Sequence, residues 1–424
     1  MKAPSLSPGT CCIAGGGPAG MMLGYLLARA GIEVLVLEKH ADFLRDFRGD
    51  TIHPSTLEVM HELGVLEDFL KRPHQQIRQA RARIGGEEFV LGDMSYLRTQ
   101  CRFVAMMPQW DFLDFIAEQG RRYPTFHLRM QTDVTGLIEE QGRIVGLRGN
   151  TPAGPVEIRA DLVVGADGRN SAVRSCSGLP VEELGAPMDV LWMRLSKRAG
   201  DPELIAYANR GKALVLFDRG SYWQCGFSVA KGAAEEMQRK SIEDFRAGIV
   251  HLASFLHDRV TEIHDWIDVK LLTVRVDRLR QWHRPGLLCI GDAAHAMSPV
   301  GGVGINLAIQ DAVAAANILA RPLLEGAISA ADLAKVQRRR EFPTRLTQRV
   351  QALIRKQIGG SLDESGPRQL HWPLRLLERT TLPRRIRTRF MGVGIRPEHV
   401  KTPDVSNARV RAAVGHALDR RGQM

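Results

Sequence analysis

The chain has 424 residues, 44% apolar and 25% charged, a globular composition long enough for two or three domains, which excludes disordered, collagen-like and disulfide-dense classes. Its net charge of +11 is concentrated at one end, because residues 331–424 carry 21 Lys and Arg against 8 Asp and Glu while the rest is close to neutral. A near-neutral body lacks the basic face that phosphate contacts need, so no nucleic-acid partner is expected. The basic C-terminal region reads as a solvated helical face or as a contact for an anionic membrane surface. No apolar run approaches the eighteen residues of a membrane span, and a glycine turn arrives at Gly15 before a signal-peptide core can form. The six cysteines make no metal-spaced pair and the thirteen histidines no H-E-x-x-H, so no metal is expected and a reducing cytoplasm fits best.

In chain order, the apolar run Thr10 to Ala14 stops at Gly15-Gly16-Gly17-Pro18-Ala19-Gly20, and a helix over Met21 to Ala30 ends at Gly31. A second buried strand covers Glu33 to Glu38, which completes a βαβ unit. Ser55-Thr56-Leu57-Glu58 has capping-box spacing and predicts a helix from about Thr56, and another helix runs through Phe112 to Ala117. An apolar strand near Leu162 to Val164 leads into Gly165-Ala166-Asp167-Gly168. From about Val181 to Val276 alternating, aromatic-bearing strands replace this pattern, interrupted by one helix near Ser241 to Leu256. The strand Leu287 to Ile290 returns to Gly291-Asp292, and a long apolar helix follows over Gly304 to Ala320. The basic region is helical with a kink at Pro343.

The fold class is therefore α/β: a Rossmann-like nucleotide-binding domain in three parts (1–76, 101–180 and 275–330), an inserted β-sheet substrate domain in two (77–100 and 181–274), and a helical region over 331–424. Gly15, Gly17 and Gly20 form G-x-G-x-x-G between a strand and a helix, with Glu38 eighteen residues beyond the last glycine. Glycines there permit a tight turn and close approach of a pyrophosphate to a positive helix N-terminus, and the carboxylate accepts the ribose hydroxyls, so the ligand is FAD or NAD. A second glycine-rich helix start, Pro299-x-x-Gly302-x-Gly304-x-Asn306 after Asp292, aims another helix dipole at the same cofactor, which suits a reduced flavin.

These three fingerprints in order, Gly15 to Gly20, Gly165 to Ser171, and Gly291 to His295 with Pro299 to Asn306, resemble the FAD-dependent aromatic hydroxylases of the para-hydroxybenzoate hydroxylase type. The resemblance implies a monooxygenase that hydroxylates an aromatic or polycyclic small molecule with NAD(P)H and O₂ through a flavin C4a-hydroperoxide. It implies that Glu38 binds the adenosine ribose and that Asp292 meets the ribityl and pyrophosphate region. Gly302, Gly304 and Asn306 would line the isoalloxazine edge, and Asp167 would serve both FAD and the transient nicotinamide nucleotide. Arg48 would touch the flavin, Gln109 the ribityl chain and the Val134 backbone the adenine. No second G-x-G-x-x-G exists for NAD(P)H, and the W-x-W-x-I-P pattern of flavin halogenases is missing.

Trp192, Phe217, Tyr222 and Trp223, with Met106 and Met107, are candidate walls of an apolar substrate pocket. Tyr222, read as the one phenol of that sheet, is a candidate proton relay, with His53 and His295 as other carriers, and the Pro299 carbonyl is a candidate substrate contact. A flavin-dependent reductase on the same fold and a flavin-bearing sensor would use the same cofactor residues. The assembly state is read as monomer or homodimer.

Overall fold

A computed structural model describes residues 9–44, 51–186, 188–203, 205–209, 211–360 and 381–406. The nucleotide-binding half is built on a six-stranded sheet in the order His283–Arg284, Leu287–Cys289, Leu162–Gly165, Cys11–Ala14, Val34–Leu37, Phe126–Arg129. All its pairings are parallel except the first. Its central strands are apolar at every position and buried on both faces, as parallel sheets covered by helices require. The dinucleotide helix Pro18–Arg29 covers one face and packs along the core helix Gly304–Leu324. Gly24 permits its approach to the sheet, since a Cβ there would meet the Val36 side chain at 2.6 Å.

A seven-stranded sheet stands beside this domain, in the order Lys270–Leu272, Met188–Ser196, Tyr222–Ala230, Lys212–Asp218, Ala206–Asn209, Gln79–Ile84, Glu87–Asp93. Its two faces differ. Leu191, Met193, Leu195, Leu214, Leu216, Trp223, Cys225 and Phe227 point one way and are buried with the helix Ile242–Leu252. Alternation sends Val190, Trp192, Val215, Phe217 and Tyr222 the other way, where Val190 and Trp192 pack with Val274 and Val276 while Val215, Phe217 and Tyr222 are only half-buried. A small sheet of Thr51–Ile52, Val104–Met106 and Gln75–Ile77 lies between the two halves in sequence, and Met106 of its middle strand shares an apolar cluster with Phe217.

Several local expectations give way to tertiary contacts. The helix expected from Thr56 begins at Pro54, whose fixed φ suits a first helical position. The Ser55–Glu58 capping box is not formed, because the Glu58 carboxylate accepts the backbone N–H of Gln100 at 3.1 Å. The helix Ala330–Gly360 continues through Pro343. Arg340 on one side of the proline, and Gln348 and Gln351 on the other, are anchored to buried groups of the core, and this overrides the helix-breaking cost. The segment Val300–Leu324 does meet the length and composition of a membrane span, with mean hydropathy 1.4, yet 67% of its span window is buried in the protein and it serves as the core helix. The C-terminal helix Thr381–Gly392 lies on Glu87–Asp93 of the seven-stranded sheet. Arg387 donates to the Val90 carbonyl at 2.7 Å and Arg384 pairs with Asp93 at 3.3 Å, so part of the basic excess is internal docking rather than a solvated face.

Candidate active site

The glycine turn is assembled by close approach. Gly15 has φ +104, and a Cβ on it would meet the Ala166 carbonyl at 2.4 Å, so the loop carrying Asp167 presses against the start of the dinucleotide helix. A Cβ on Gly20 would collide with the Gly15 carbonyl at 2.0 Å. Gly17 is different: its φ is an ordinary −76, and a Cβ there would meet nothing within 4 Å among the described residues. The open space beside Gly17 faces the N-terminus of a twelve-residue helix that no side chain caps. Its orphan N–H groups and positive dipole end are available to an anion.

Glu38 closes this cradle. One carboxylate oxygen accepts the Gly16 N–H at 3.1 Å and the other the His40 N–H at 3.1 Å, which holds the carboxylate beside the glycine turn. The Glu38 carbonyl accepts the Thr132 N–H at 2.9 Å, and this bond brings the strand Asp133–Glu140, with Val134 near its start, alongside.

Asp292 arrives from the third fingerprint. Gly291, at φ +59, would carry a Cβ 3.1 Å from that of Ala19 and 3.3 Å from that of Ala308, so the turn holding Asp292 touches the starts of both glycine-led helices. The Asp292 side chain is one-third exposed and lies 3.9 Å from the Arg169 guanidinium. Asp167 serves locally as a cap: its carboxylate accepts from Ser171 Oγ and from the Val173 N–H at 3.1 Å at the start of the helix Ala172–Ser177. Burial raises its carboxyl above the ordinary range, with these hydrogen bonds opposing.

At the second glycine-led start, Gly301 and Gly302 have φ +81 and +62, and no side chain caps the core helix. A Cβ on Gly302 would strike Thr51 Oγ1 at 2.4 Å; Thr51 instead donates to the Gly302 carbonyl at 2.7 Å. Gly304, like Gly17, faces open space. Asn306 is fully engaged inside the protein. Its Oδ1 accepts from the His53 N–H (2.9 Å) and Thr56 Oγ1 (2.7 Å), while Nδ2 donates to the Thr51 carbonyl (3.1 Å) and the Gly302 carbonyl (3.4 Å). Its side chain staples the helix start to Thr51–Thr56 and has no hydrogen-bonding capacity left for a cofactor. The Pro299 carbonyl accepts the Gly302 N–H at 3.0 Å, with one lone pair remaining. Gln109 begins the helix Gln109–Gly120, three residues after the strand that pairs with Thr51–Ile52. Arg48 lies outside the described residues.

The pocket walls divide. Trp192 and Phe217 stack at 5.8 Å on the half-buried face of the large sheet, whereas Trp223 points to the opposite face and donates from Nε1 to Asp201 at 2.7 Å. Met107 is buried in the nucleotide-domain core. Tyr222 sits on the open face at a hairpin end, its ring 5.3 Å from the Arg194 guanidinium. It is not the only phenol of the sheet, since Tyr207 is buried on the far face. Both histidines read as proton carriers are structural. His53 is buried and its Nδ1 lies 2.6 Å from the Met391 carbonyl; burial pushes it down to about 4, so it is neutral near pH 7. His295 Nε2 lies 2.6 Å from Asp311 Oδ2, and Arg340 Nε donates to the other oxygen at 2.9 Å. Burial alone would raise the Asp311 carboxyl; the His295 ring and the Arg340 guanidinium hold it below the usual range. Sequence reasoning missed this buried trio, although a lone carboxylate in an otherwise apolar helix was a readable signal.

Among the described residues, two uncapped helix starts, two glycines with open space beside them and an acidic end of the second strand fit an extended dinucleotide. The chain matches the family described as FAD binding domain over residues 9–350. It is 33% identical over 347 residues to 6-methylpretetramide 4-monooxygenase of Streptomyces rimosus, covering 81% of this chain and 82% of that protein. It is 24% identical to para-nitrophenol 4-monooxygenase of Pseudomonas sp. strain WBC-3, over 78% and 82% of the two chains. Among solved structures, the anhydrotetracycline hydroxylase OxyS of Streptomyces rimosus aligns with a TM-score of 0.70 at 23% identity, over 90% of this chain and 75% of that one. The p-nitrophenol 4-monooxygenase of Pseudomonas putida DLL-E4 aligns with a TM-score of 0.69 at 19% identity, over 96% and 98%. The chain belongs to the FAD-dependent aromatic monooxygenases of the para-hydroxybenzoate hydroxylase type, and it is an enzyme that uses FAD.

Proposed function

We propose that this monooxygenase hydroxylates a planar, fused-ring phenolic molecule laid on the open face of the large sheet. The observation that carries the reading is the pair Trp192 and Phe217, stacked at 5.8 Å and inclined by 26°. A Cβ on Gly226 would come within 3.0 Å of the Trp192 ring, so the glycine lets the indole lie flat across the sheet. Two aromatic rings in contact on one face offer more apolar surface than a single ring. The names of similar proteins, which pair a monooxygenase with 6-methylpretetramide and with para-nitrophenol, support the aromatic class.

Bound FAD supplies the reducing equivalents taken from NAD(P)H and the activated oxygen. The protein's own residues bind, orient and exclude water. Gly17, Glu38 and Asp292 would hold the adenosine and pyrophosphate parts, with the Val134 backbone at the adenine and the loop of Asp167 alongside. Gln109 would reach the ribityl chain, Arg48 would touch the flavin, and the Gly302–Gly304 helix start would set its dipole against charge on the pyrimidine edge. Val190, Val274, Val276 and Met106 keep the region beside the floor apolar. Pro299 offers its remaining carbonyl lone pair and Tyr222 its phenol at the rim.

Five of the six cysteines are buried and all six are free, which supports a cytoplasmic location. With Arg339, Arg340, Arg384 and Arg387 engaged internally, exposed basic residues of the described part of this region, such as Arg338, Arg349 and Arg389, are what could meet a membrane surface. The test is to titrate the yellow holoenzyme with mono- and polycyclic phenols under NADH and NADPH. A planar polycyclic phenol should accelerate NAD(P)H oxidation and be recovered with one added hydroxyl; if no planar aromatic is hydroxylated while NAD(P)H is consumed, the proposal fails.

A further inference from the structure

Gln224 lies in the strand Tyr222–Ala230, and its neighbours in sequence, Trp223 and Cys225, belong to the buried far side. Gln224 therefore belongs to the floor face, directly across from Arg194 on one neighbouring strand and from Phe217 of the floor on the other. Its orientation is determined. Arg219 Nε, which can only donate, lies 3.1 Å from one end of the carboxamide, so that end is the acceptor Oε1 and the NH₂ faces the other way. The residue is 6% exposed, and Nε2 has no hydrogen-bond partner among the described residues. A buried donor without an acceptor is unfavourable unless something fills it, and the face carrying it is half open where Val215 and Phe217 stand.

We infer that Gln224 is a specificity-determining residue whose Nε2 donates to a carbonyl or phenolate oxygen on the edge of the fused-ring substrate. The inference rests on the floor reading above and adds to it an oxygen-bearing ring edge. Arg219 fixes the amide so that it presents a donor and never an acceptor, and the Arg194 and Arg219 cations nearby favour an oxygen carrying negative charge. The site thus selects an oxygenated polycycle over a bare hydrocarbon of the same outline, because the hydrocarbon leaves the buried donor unfilled.

The experiment measures equilibrium binding to the FAD-loaded enzyme through flavin absorbance changes, with two probes of one outline: 1-hydroxy-9,10-anthraquinone and anthracene, the bare hydrocarbon with no oxygen on its edge. Wild-type enzyme should bind the quinone about tenfold more tightly, the scale of one net hydrogen bond. Gln224→Glu keeps an acceptor for Arg219 but removes the donor; Gln224→Leu removes both. Each should retain FAD and abolish the preference, and Gln224→Glu should weaken the quinone specifically. A preference that persists in Gln224→Glu, an equal loss for both probes, or wild-type binding without preference overturns the role of Gln224 and leaves the floor standing. Failure of wild-type enzyme to bind either probe overturns the floor itself and with it the proposed substrate class.

Discussion

At position 17 a side chain would enter empty space on an unstrained backbone, whereas at position 15 it would enter the Ala166 carbonyl at φ +104. The two glycines of one motif thus have separable purposes, one for ligand space and one for folding. Gly17→Val should leave the unliganded fold within about 0.5 kcal/mol of wild type, as for a surface change, and yield colourless protein. Gly15→Val should impair folding itself. Absorbance at the flavin band of the purified variants, set beside their thermal unfolding, checks both, and full flavin occupancy in Gly17→Val contradicts the cradle. Legibility at this scale follows the same division. Gly15 and Gly20 were readable because close backbone approach restricts those positions to glycine, and Gly17 and Glu38 because a pyrophosphate needs space and a ribose a carboxylate there. Asn306 was readable as part of a motif, but three of its four internal hydrogen bonds run to Thr51–Thr56, some 250 positions away, which spacing does not reveal. Gln224 carries no motif at all; only strand register and the Arg219 contact single it out.

Between elements, the core helix is fastened to the C-terminal part of the chain by buried charge. Arg340 of the helix Ala330–Gly360 reaches Asp311 of the core helix, and Glu398 further along pairs with Arg339 and Arg340 at 2.6 and 3.4 Å. Removing one partner of such a buried pair leaves an uncompensated charge, so Asp311→Asn should cost about 3 kcal/mol in chemical unfolding; a loss below about 1 kcal/mol would show that the fastening is peripheral. The His53 ring against the Met391 carbonyl is a second fastening, at the end of the C-terminal helix. The unfolded chain protonates this histidine near 6.5 and the folded protein only near 4, so its contribution is complete above about pH 6.5. It is lost as pH falls through that window, by at most roughly 3 kcal/mol. Unfolding measured between pH 4 and 7 should show a steeper acid loss for wild type than for His53→Asn, which keeps a donor for Met391 without the titration. Parallel slopes would contradict the assignment. These fastenings were illegible in the sequence because they join residues up to 338 positions apart. The anchors on either side of Pro343 in the helix Ala330–Gly360 were illegible for the same reason.

Across the whole molecule, two architectures meet: a mostly parallel sheet whose strand ends and helix starts suit a dinucleotide, and a mostly antiparallel sheet, with one parallel pairing, that leaves one aromatic face half open. Periodicity announced both halves, the continuous apolar runs of the first and the alternating runs of the second. Alternation could not say which face looked inward, and so Trp223 was grouped with Trp192 until register separated them. The account makes the protein a monooxygenase whose open face holds an oxygenated, fused-ring aromatic molecule. The most direct test is the fate of labelled oxygen: the holoenzyme is supplied with NAD(P)H, ¹⁸O₂ and a planar polycyclic phenol that accelerates nicotinamide oxidation. The account predicts one ¹⁸O atom in the hydroxylated product for each NAD(P)H oxidised; product lacking ¹⁸O, or complete NAD(P)H oxidation with no hydroxylated product, would contradict it.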